Sequence, residues 1–228
     1  MLTVTVNSKL KKLHHWLVSN TDNYISMVAI GSIATGDTLV DGRSDYDIVL
    51  IFSSSLESDL DKLNHYLGTS KFTDHCFFIP FTKTDFLKSH SSSHDFSDRF
   101  RSRTLFGKDL IKEKQLPTAQ ETYQIYSAGL DREITSIKRR LLNASFWSEA
   151  KLRNIFSVCF KHVFMYLAIR IYYDTGYYPR TRKHVANNLN SKAVSLALDI
   201  LDHINNRSTT EIILAAKSLV PLLQKLRN

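Results

Sequence analysis

Residues 28–52 read VAIGSIATGDTLVDGRSDYDIVLIF, and this stretch decides the fold of the first half of the chain. An apolar run ends at Gly31-Ser32, a polar loop follows, and Ser44-Asp45-Tyr46-Asp47 leads into a second apolar run. Short apolar runs bounded by glycine and polar residues are typical of buried β-strands. The stretch therefore predicts two neighbouring strands, 24–30 and 44–52, joined by a loop.

Asp45 and Asp47 give this stretch its chemistry. Side chains two residues apart on a strand point to the same face, and two carboxylates on one face repel each other unless a cation lies between them. Oxygen-only ligands favour Mg²⁺, which takes one or two carboxylates together with substrate phosphates. Gly31 and Ser32 offer backbone N–H groups and a hydroxyl to phosphate oxygens, because glycine lets the backbone approach closely. The sequence thus predicts both halves of a metal–nucleotide site.

A third carboxylate on a neighbouring strand would complete a two-metal site, which clamps the attacking and leaving oxygens of a displacement at phosphorus. Asp74 begins the next apolar run, 74–81, and is the first candidate. Asp85 is the fallback, although its position in TKTDFL is more typical of a helix N-cap.

The combination of Gly31-Ser32, a spacer loop and Asp45-x-Asp47 followed by IVLIF resembles the signature of the polymerase-β-like nucleotidyltransferase superfamily. Gly36 and Ser44 match companion positions of that signature, and the resemblance covers residues 8–110. It implies a small mixed β-sheet with helices on one side. It also implies transfer of a nucleoside monophosphate from an NTP to an acceptor, with release of pyrophosphate.

The resemblance also implies roles for individual residues. Gly31, Ser32 and Ser44 would bind the nucleotide through its triphosphate. Apart from the resemblance, Lys161 and His162 lie mid-helix in the second half of the chain, and one of them could reach the triphosphate if the bundle closes over the core; Lys161 is the candidate contact.

The catalytic and metal-binding roles fall on three aspartates. By the same resemblance, Asp45 and Asp47 would bind Mg²⁺, and Asp74 would be the third carboxylate that acts on the attacking hydroxyl. Asp74 is the weakest of the three assignments, because no second motif fixes its position.

The charge of the chain is divided unevenly. Residues 1–117 carry 14 cationic and 14 acidic side chains, whereas residues 118–228 carry 16 and 8, so the net charge of +8 belongs to the second half. Pro117 marks the break, and the asymmetry favours two units with different partners. The resemblance implies a nucleotidyltransferase core with a small mixed β-sheet over 1–117, and apolar spacing predicts an all-α helical bundle over 118–228, which by the same resemblance would bind acceptor or nucleotide. The expected fold class is therefore α+β.

Apolar spacing predicts the helices of both halves. In the core, helices are expected over 8–20, after the Ser54-x-x-Glu57 capping box up to about residue 67 with Gly68 as its end, and over 99–105. In the second half, apolar residues recur at helical spacing over 118–142, 148–173, 191–205 and 209–226.

The basic second half favours a neutral or anionic acceptor over a polycationic one. Its acidic residues that could act as the acceptor's general base are Glu121, Asp131, Glu133 and Glu149. An aromatic–basic cluster also stands out, made of Tyr172, Tyr173, Tyr177, Tyr178, Arg180, Arg182 and Lys183. This cluster either stacks on a nucleotide base or packs the helix junction, and packing is the favoured interpretation.

Composition excludes several classes of protein. A hydrophobic fraction of 43% excludes a disordered chain, and no run of about 18 apolar residues predicts a membrane span. The N-terminus lacks the order of a secretory signal, and Cys76 and Cys159 lie in apolar runs as expected of a reducing, cytoplasmic compartment.

Two functions follow from these features. The first is an Mg²⁺-dependent nucleotidyltransferase that uses an NTP and an acceptor which is a small molecule such as an antibiotic, an RNA end or a protein. The alternative is a non-catalytic or antitoxin-like binding module that keeps the same fold. The base preference and the oligomeric state are left open, with a homodimer as one option.

Overall fold

The structure is a computed structural model that describes residues 4–35, 46–55, 57, 59–70, 72, 76–88 and 93–227. Contacts within the chain divide it into two compact units, Met1–His90 with Asp95–Leu116 and Ser91–His94 with Pro117–Asn228. The division after Leu116 falls at the proline where the charge of the sequence changes.

The first unit alternates helices and strands. Its described elements are α1 (Val4–Asn20), β1 (Tyr24–Ile30), α2 (Ser32–Thr35), β2 (Tyr46–Phe52), α3 (Leu60–Thr69), β3 (Cys76–Thr82), α4 (Lys83–Lys88), α5 (Ser93–Phe100) and β4 (Ser102–Gly107). The first two residues of α5 belong to the second unit.

The four strands form one mixed sheet in the order β3-β2-β1-β4. Strand β1 pairs antiparallel with β2 and with β4, while β2 and β3 run parallel. Pro80 lies on β3, an edge strand, where a missing backbone N–H is tolerated. The small mixed sheet confirms the fold class predicted for the core.

One face of the sheet packs against α1 and α3. Leucines of α1 recur at helical spacing and are fully buried against alternate residues of β1 and β2. The cluster includes Leu10, Leu13, Leu17, Met27, Ala29, Ile48, Leu50 and Leu63. Because strand side chains alternate between faces, the remaining apolar residues of β1 and β2 need a second cover.

The opposite face is covered by α4 and the turn that follows β4. Phe86 of α4 and Leu110 are buried against Val28, Val49 and Ile51. Helical structure therefore lies on both faces of the sheet, which corrects the expectation of helices on one side only. Phe86 is the reason, since this apolar residue of α4 is buried against that face of the sheet.

Three local predictions in the core were wrong. The helix predicted over 99–105 ends at Phe100, because Ser102–Gly107 is strand β4 and pairs with β1. The capping box at Ser54 does not form, since α3 begins later, with Asp59 in the N-cap position. Gly68 lies inside α3 rather than ending it.

The second unit is a helical bundle, as the sequence predicts. Its described helices are α6 (Ala119–Leu142), α7 (Glu149–Thr175), α8 (Arg182–Leu189), α9 (Lys192–Asp202) and α10 (Thr209–Arg227). Thr118 and Glu121 form a capping box at the start of α6, and Gly176 ends α7 in a left-handed conformation. A Cβ at Gly129 of α6 would lie 2.0 Å from the Tyr166 ring of α7, so these helices pack closely there.

Helix α7 is long and apolar enough to cross a membrane by length and composition. Charged and polar residues interrupt it, so it contains no unbroken run of about 18 apolar residues. Its most apolar window is 67% buried within the protein. The central helix of a bundle meets the same criteria, and α7 packs against the four other helices of its unit.

Candidate active site

The candidate site is built around Gly31, the residue that ends β1. Its φ of +69° lies in the left-handed region, which glycine adopts at little cost. The chain turns sharply here, because the Ala34 N–H donates a hydrogen bond to the Gly31 carbonyl at 3.2 Å as α2 begins. The local sequence therefore produces a tight turn at the end of β1, and the glycine places no side chain there.

Asp47 approaches this turn from the neighbouring strand. It is the second residue of β2, and the antiparallel pairing of Ala29 with Ile48 brings the start of β2 beside the end of β1. A Cβ placed on Gly31 would lie 3.8 Å from Asp47 Oδ2. The glycine turn and one carboxylate of the Asp-x-Asp pair are thus close in space, and no intervening Cβ separates them.

The other predicted residues of the core site are described only in part. Ser32 is the first residue of α2, and its side chain is not described. Ser44, Asp45 and Asp74 lie outside the described residues. Their roles in nucleotide and metal binding remain predictions.

Asp85 is not placed to act as the third carboxylate. The Thr82 hydroxyl donates to Asp85 Oδ2 at 2.7 Å, and the Asp85 N–H donates to Thr82 Oγ1 at 3.1 Å. This reciprocal pair caps the start of α4, so Asp85 lies in the first turn of the helix and is not its N-cap. Because β3 runs parallel to β2, the cap lies at the end of β3 away from the strand position that pairs with Asp47.

Strand β3 presents an aromatic residue beside Asp47. The register pairs Asp47 with Phe77, and the strand sequence CFFIPFT contains no carboxylate. Among the residues that the structure describes, no group of three or more His, Cys, Asp and Glu side chains could hold a metal ion. The described part of the site therefore contributes one carboxylate, Asp47.

In the second unit, the residues that the sequence placed mid-helix on α7 are half-buried. His162 Nδ1 lies 3.3 Å from Glu133 Oε2 of α6, and Arg140 lies 3.8 Å from the other oxygen of that carboxylate. Lys161 precedes His162 on α7, and its contact with a triphosphate stays a prediction. The Glu133–His162 pair has no local sequence signal, because its two members belong to different helices.

Cys159 belongs to the same group of side chains. It is fully buried and accepts a hydrogen bond from Arg140. Burial raises the pKa of its thiol to about 12, and the nearby Glu133 carboxylate acts in the same direction. The thiol is therefore protonated and unreactive near neutral pH. This agrees with the prediction that Cys159 is a small buried hydrophobe.

The four acidic residues considered as general bases all make contacts within the second unit. Glu121 accepts hydrogen bonds from Thr118 in the capping box, and Glu133 lies against His162. The other two form ion pairs, Asp131 with Arg227 at 2.9 Å and Glu149 with Arg153 at 3.0 Å.

The aromatic–basic cluster packs the junction between α7 and α8 only in part, since Arg180 and Lys183 are exposed. Tyr178 and Arg182 are buried, and the rings of Tyr172 and Tyr178 lie 6.5 Å apart. Tyr173 and Tyr177 remain more exposed. Packing was the favoured interpretation, and the burial of Tyr178 and Arg182 supports it over a base-stacking platform.

Comparisons with known proteins give a fold and no close relative. No family model matches the chain, and no curated protein matches its sequence. Among solved structures, spectinomycin adenyltransferase AAD(9) from Enterococcus faecialis, determined with ATP and spectinomycin, is similar with a TM-score of 0.54 at 12% identity. The match covers 95% of this chain and 98% of that one.

A nucleotidyltransferase-like protein from Exiguobacterium sibiricum also matches, at a TM-score of 0.38 and 12% identity over 96% of this chain and 74% of that chain. The match to AAD(9) covers nearly the whole of both chains and so includes residues of both units described above. The chain therefore shares the overall fold of AAD(9).

Proposed function

We propose that this chain is an Mg²⁺-dependent nucleotidyltransferase, which transfers a nucleoside monophosphate from an NTP to an acceptor hydroxyl and releases pyrophosphate. The observation that carries the proposal is the closeness of the Gly31 turn to Asp47: a Cβ built on Gly31 would lie 3.8 Å from Asp47 Oδ2. The core that holds both residues has the fold described above. ATP is the first nucleotide to test, because AAD(9) was determined with it.

The residues at the site fit a magnesium ion. Carboxylate oxygens are the ligands that Mg²⁺ prefers, and the ion needs one or two of them in addition to substrate phosphates. Asp47 is described at this edge of the sheet, and Asp45 and Asp74 would complete the set. When bound, the ion would neutralise phosphate charge and activate the α-phosphorus towards attack.

The chain's own contribution is to position the triphosphate. The absence of a side chain at Gly31 leaves space beside the Asp47 carboxylate, and the turn brings backbone close to that space. A bond forms between the acceptor oxygen and the α-phosphorus while the bond from that phosphorus to pyrophosphate breaks. The hydroxyl proton would pass to Asp74, the proposed third carboxylate, and from there to water.

A neutral or anionic acceptor fits the second unit better than a polycationic one. The unit carries the whole net charge of the chain, and the four carboxylates considered above are already engaged in contacts. A cytoplasmic location is part of the proposal, because both cysteines are free and NTPs are abundant there.

The proposal is tested with ATP labelled at the α-phosphate. Wild-type protein, Asp47→Asn and Asp47→Ala are incubated with Mg²⁺ and with spectinomycin, lincomycin, tRNA or a protein mixture, and the destination of the label is recorded. We expect transfer by the wild type and a loss of at least about 100-fold in both variants, as when a main electrostatic contact to the transition state is removed.

Asp109→Asn is the matched control, since this exposed aspartate of the same unit contacts the Thr104 hydroxyl, the Ile111 N–H and Lys112, all within five residues of it. It should keep wild-type transfer. Addition of Mg²⁺ and ATP should also raise the unfolding temperature of the wild type more than that of Asp47→Asn, because a ligand of the native state stabilises it. Equal activity of Asp47→Ala and wild type would refute the mechanism.

The non-catalytic alternative rests on one observation, namely that β3 has Phe77 and no carboxylate beside Asp47 within the described strand. A binding module would capture its partner equally well with and without the Asp47→Asn substitution. If that partner were a nucleic acid, its affinity would also fall steeply with salt.

A further inference from the structure

Phe77 is an aromatic residue on the open part of the sheet. Its side chain is 51% exposed, although it lies on a strand between apolar neighbours. In the parallel register of β2 and β3 it is the partner of Asp47, so both side chains point to the same face. An exposed ring and a carboxylate of the proposed active site are therefore next to each other.

The position of Phe77 is not explained by core packing. The next residues of β3 on the same face, Ile79 and Phe81, pack into the cluster that α4 covers. Phe77 continues this apolar row beyond the end of that cluster and is not part of it. A ring left in contact with water at this point has apolar surface available for a ligand.

Asp47 has different neighbours on its two sides. Strand β2 lies between β1 and β3 in the sheet, so Gly31 at the end of β1 flanks the carboxylate on one side and Phe77 on the other. Adjacent strands lie about 4.8 Å apart, so the backbones of Phe77 and Asp47 are one strand spacing apart.

The geometry of phosphoryl displacement distinguishes these two sides. The attacking and leaving oxygens lie on opposite sides of the phosphorus, roughly in line. In the proposed function the pyrophosphate leaves on the side of the Gly31 turn. The acceptor oxygen must then approach from the opposite side, which is the side of Phe77.

We propose that Phe77 forms the acceptor subsite and packs against an apolar ring face next to the hydroxyl that attacks. The acceptor class is thus a hydroxyl carried close to a ring, and Phe77 selects it without contacting the nucleotide. This inference rests on the proposed nucleotidyl transfer and names the acceptor side of the same site.

The first part of the test measures nucleotide binding. The affinity of Mg²⁺ with α,β-methylene-ATP, which resists transfer, is determined by calorimetry for wild type, Phe77→Ala and Asp47→Asn. We expect less than a twofold change for Phe77→Ala and a loss of at least tenfold for Asp47→Asn. A tenfold loss in Phe77→Ala would place the ring against the nucleotide and overturn the inference.

The second part measures the choice of acceptor. Wild-type protein with Mg²⁺ and ATP is offered benzyl alcohol and ethanol at equal concentration, and the ratio of benzyl-AMP to ethyl-AMP is read by mass spectrometry. The wild type should favour benzyl alcohol about threefold to tenfold more than Phe77→Ala does, the range expected of one aromatic pair. Phe77→Tyr should restore the preference, since it keeps the ring.

Leu60→Ala is the matched control, because Leu60 is also 51% exposed but lies on α3. It should leave the product ratio unchanged. An equal ratio in wild type and Phe77→Ala, with AMP adducts formed by both, would overturn the inference alone. If wild type and Asp47→Asn formed adducts equally well, the transfer function would fail and the inference with it. If the wild type formed adducts with neither alcohol but transferred label in the acceptor test above, the inference alone would be overturned.

Discussion

Replacing Gly31 by alanine should affect stability, through its left-handed backbone, and activity, through the space beside Asp47, to different extents. An L-residue in the left-handed region loses about 1–2 kcal/mol, and alanine recovers about 0.4–1 kcal/mol by restricting the unfolded chain. The added Cβ meets Asp47 Oδ2 at 3.8 Å, which is ordinary contact and adds no clash. We therefore expect a net loss of about 1 kcal/mol, or about 4–8 °C in the unfolding temperature of the first unit.

The same methyl group should reduce activity much more than stability. It occupies the space beside the carboxylate where the triphosphate is proposed to approach, so kcat/KM for ATP should fall at least tenfold, equivalent to about 1.4 kcal/mol. The assay is AMP transfer at a temperature well below the unfolding transition, together with thermal unfolding with and without Mg²⁺ and ATP.

Gly176→Ala is the control for backbone strain. Gly176 has a φ of +71°, and a Cβ there would meet nothing within 4 Å. This variant should lose a similar amount of stability in the second unit and keep wild-type kcat/KM. If Gly31→Ala were destabilised as expected but transferred AMP like the wild type, the triphosphate would not approach at this turn, and the reasoning would be refuted.

Three further predictions concern Gly129 and Cys159 of the second unit. Gly129→Ala should destabilise the second unit by about 1–3 kcal/mol in urea unfolding, because the added Cβ would lie 2.0 Å from the buried Tyr166 ring. This loss should outweigh the gain of about 1 kcal/mol in helix propensity. In a Tyr166→Leu background the loss should be smaller, and additive effects of the two substitutions would contradict this reasoning. At pH 8 a disulfide reagent should modify Cys76 well before Cys159, whose pKa of about 12 leaves roughly one thiol in 10,000 ionised. The pKa of Cys159 is raised on folding, so above pH 9 the unfolded chain ionises first and stability should fall with rising pH more steeply in wild type than in Cys159→Ala.

The sequence alone determined the elements whose signals are local. Buried strands such as Tyr24–Ile30 are recognisable because continuous apolar runs bounded by glycine and polar residues have few other interpretations. The helices of the second unit follow from apolar spacing and from caps such as Thr118 with Glu121. The Gly-Ser and Asp-x-Asp motifs were readable for the same reason, since each is a short segment with a fixed spacing.

The tertiary structure decided which segments become neighbours. Ser102–Gly107 is a strand because β1 has a free edge to pair with, and its short sequence carries no strong preference that would reveal this. The closeness of the Gly31 turn to the Asp47 carboxylate depends on the β1–β2 register. The position of Phe77 beside Asp47 depends on the parallel pairing of β2 with β3. A sequence pattern sets the conformation of a segment, whereas long-range pairing and burial choose its partners, so the residue that flanks the carboxylate could be named only from the fold.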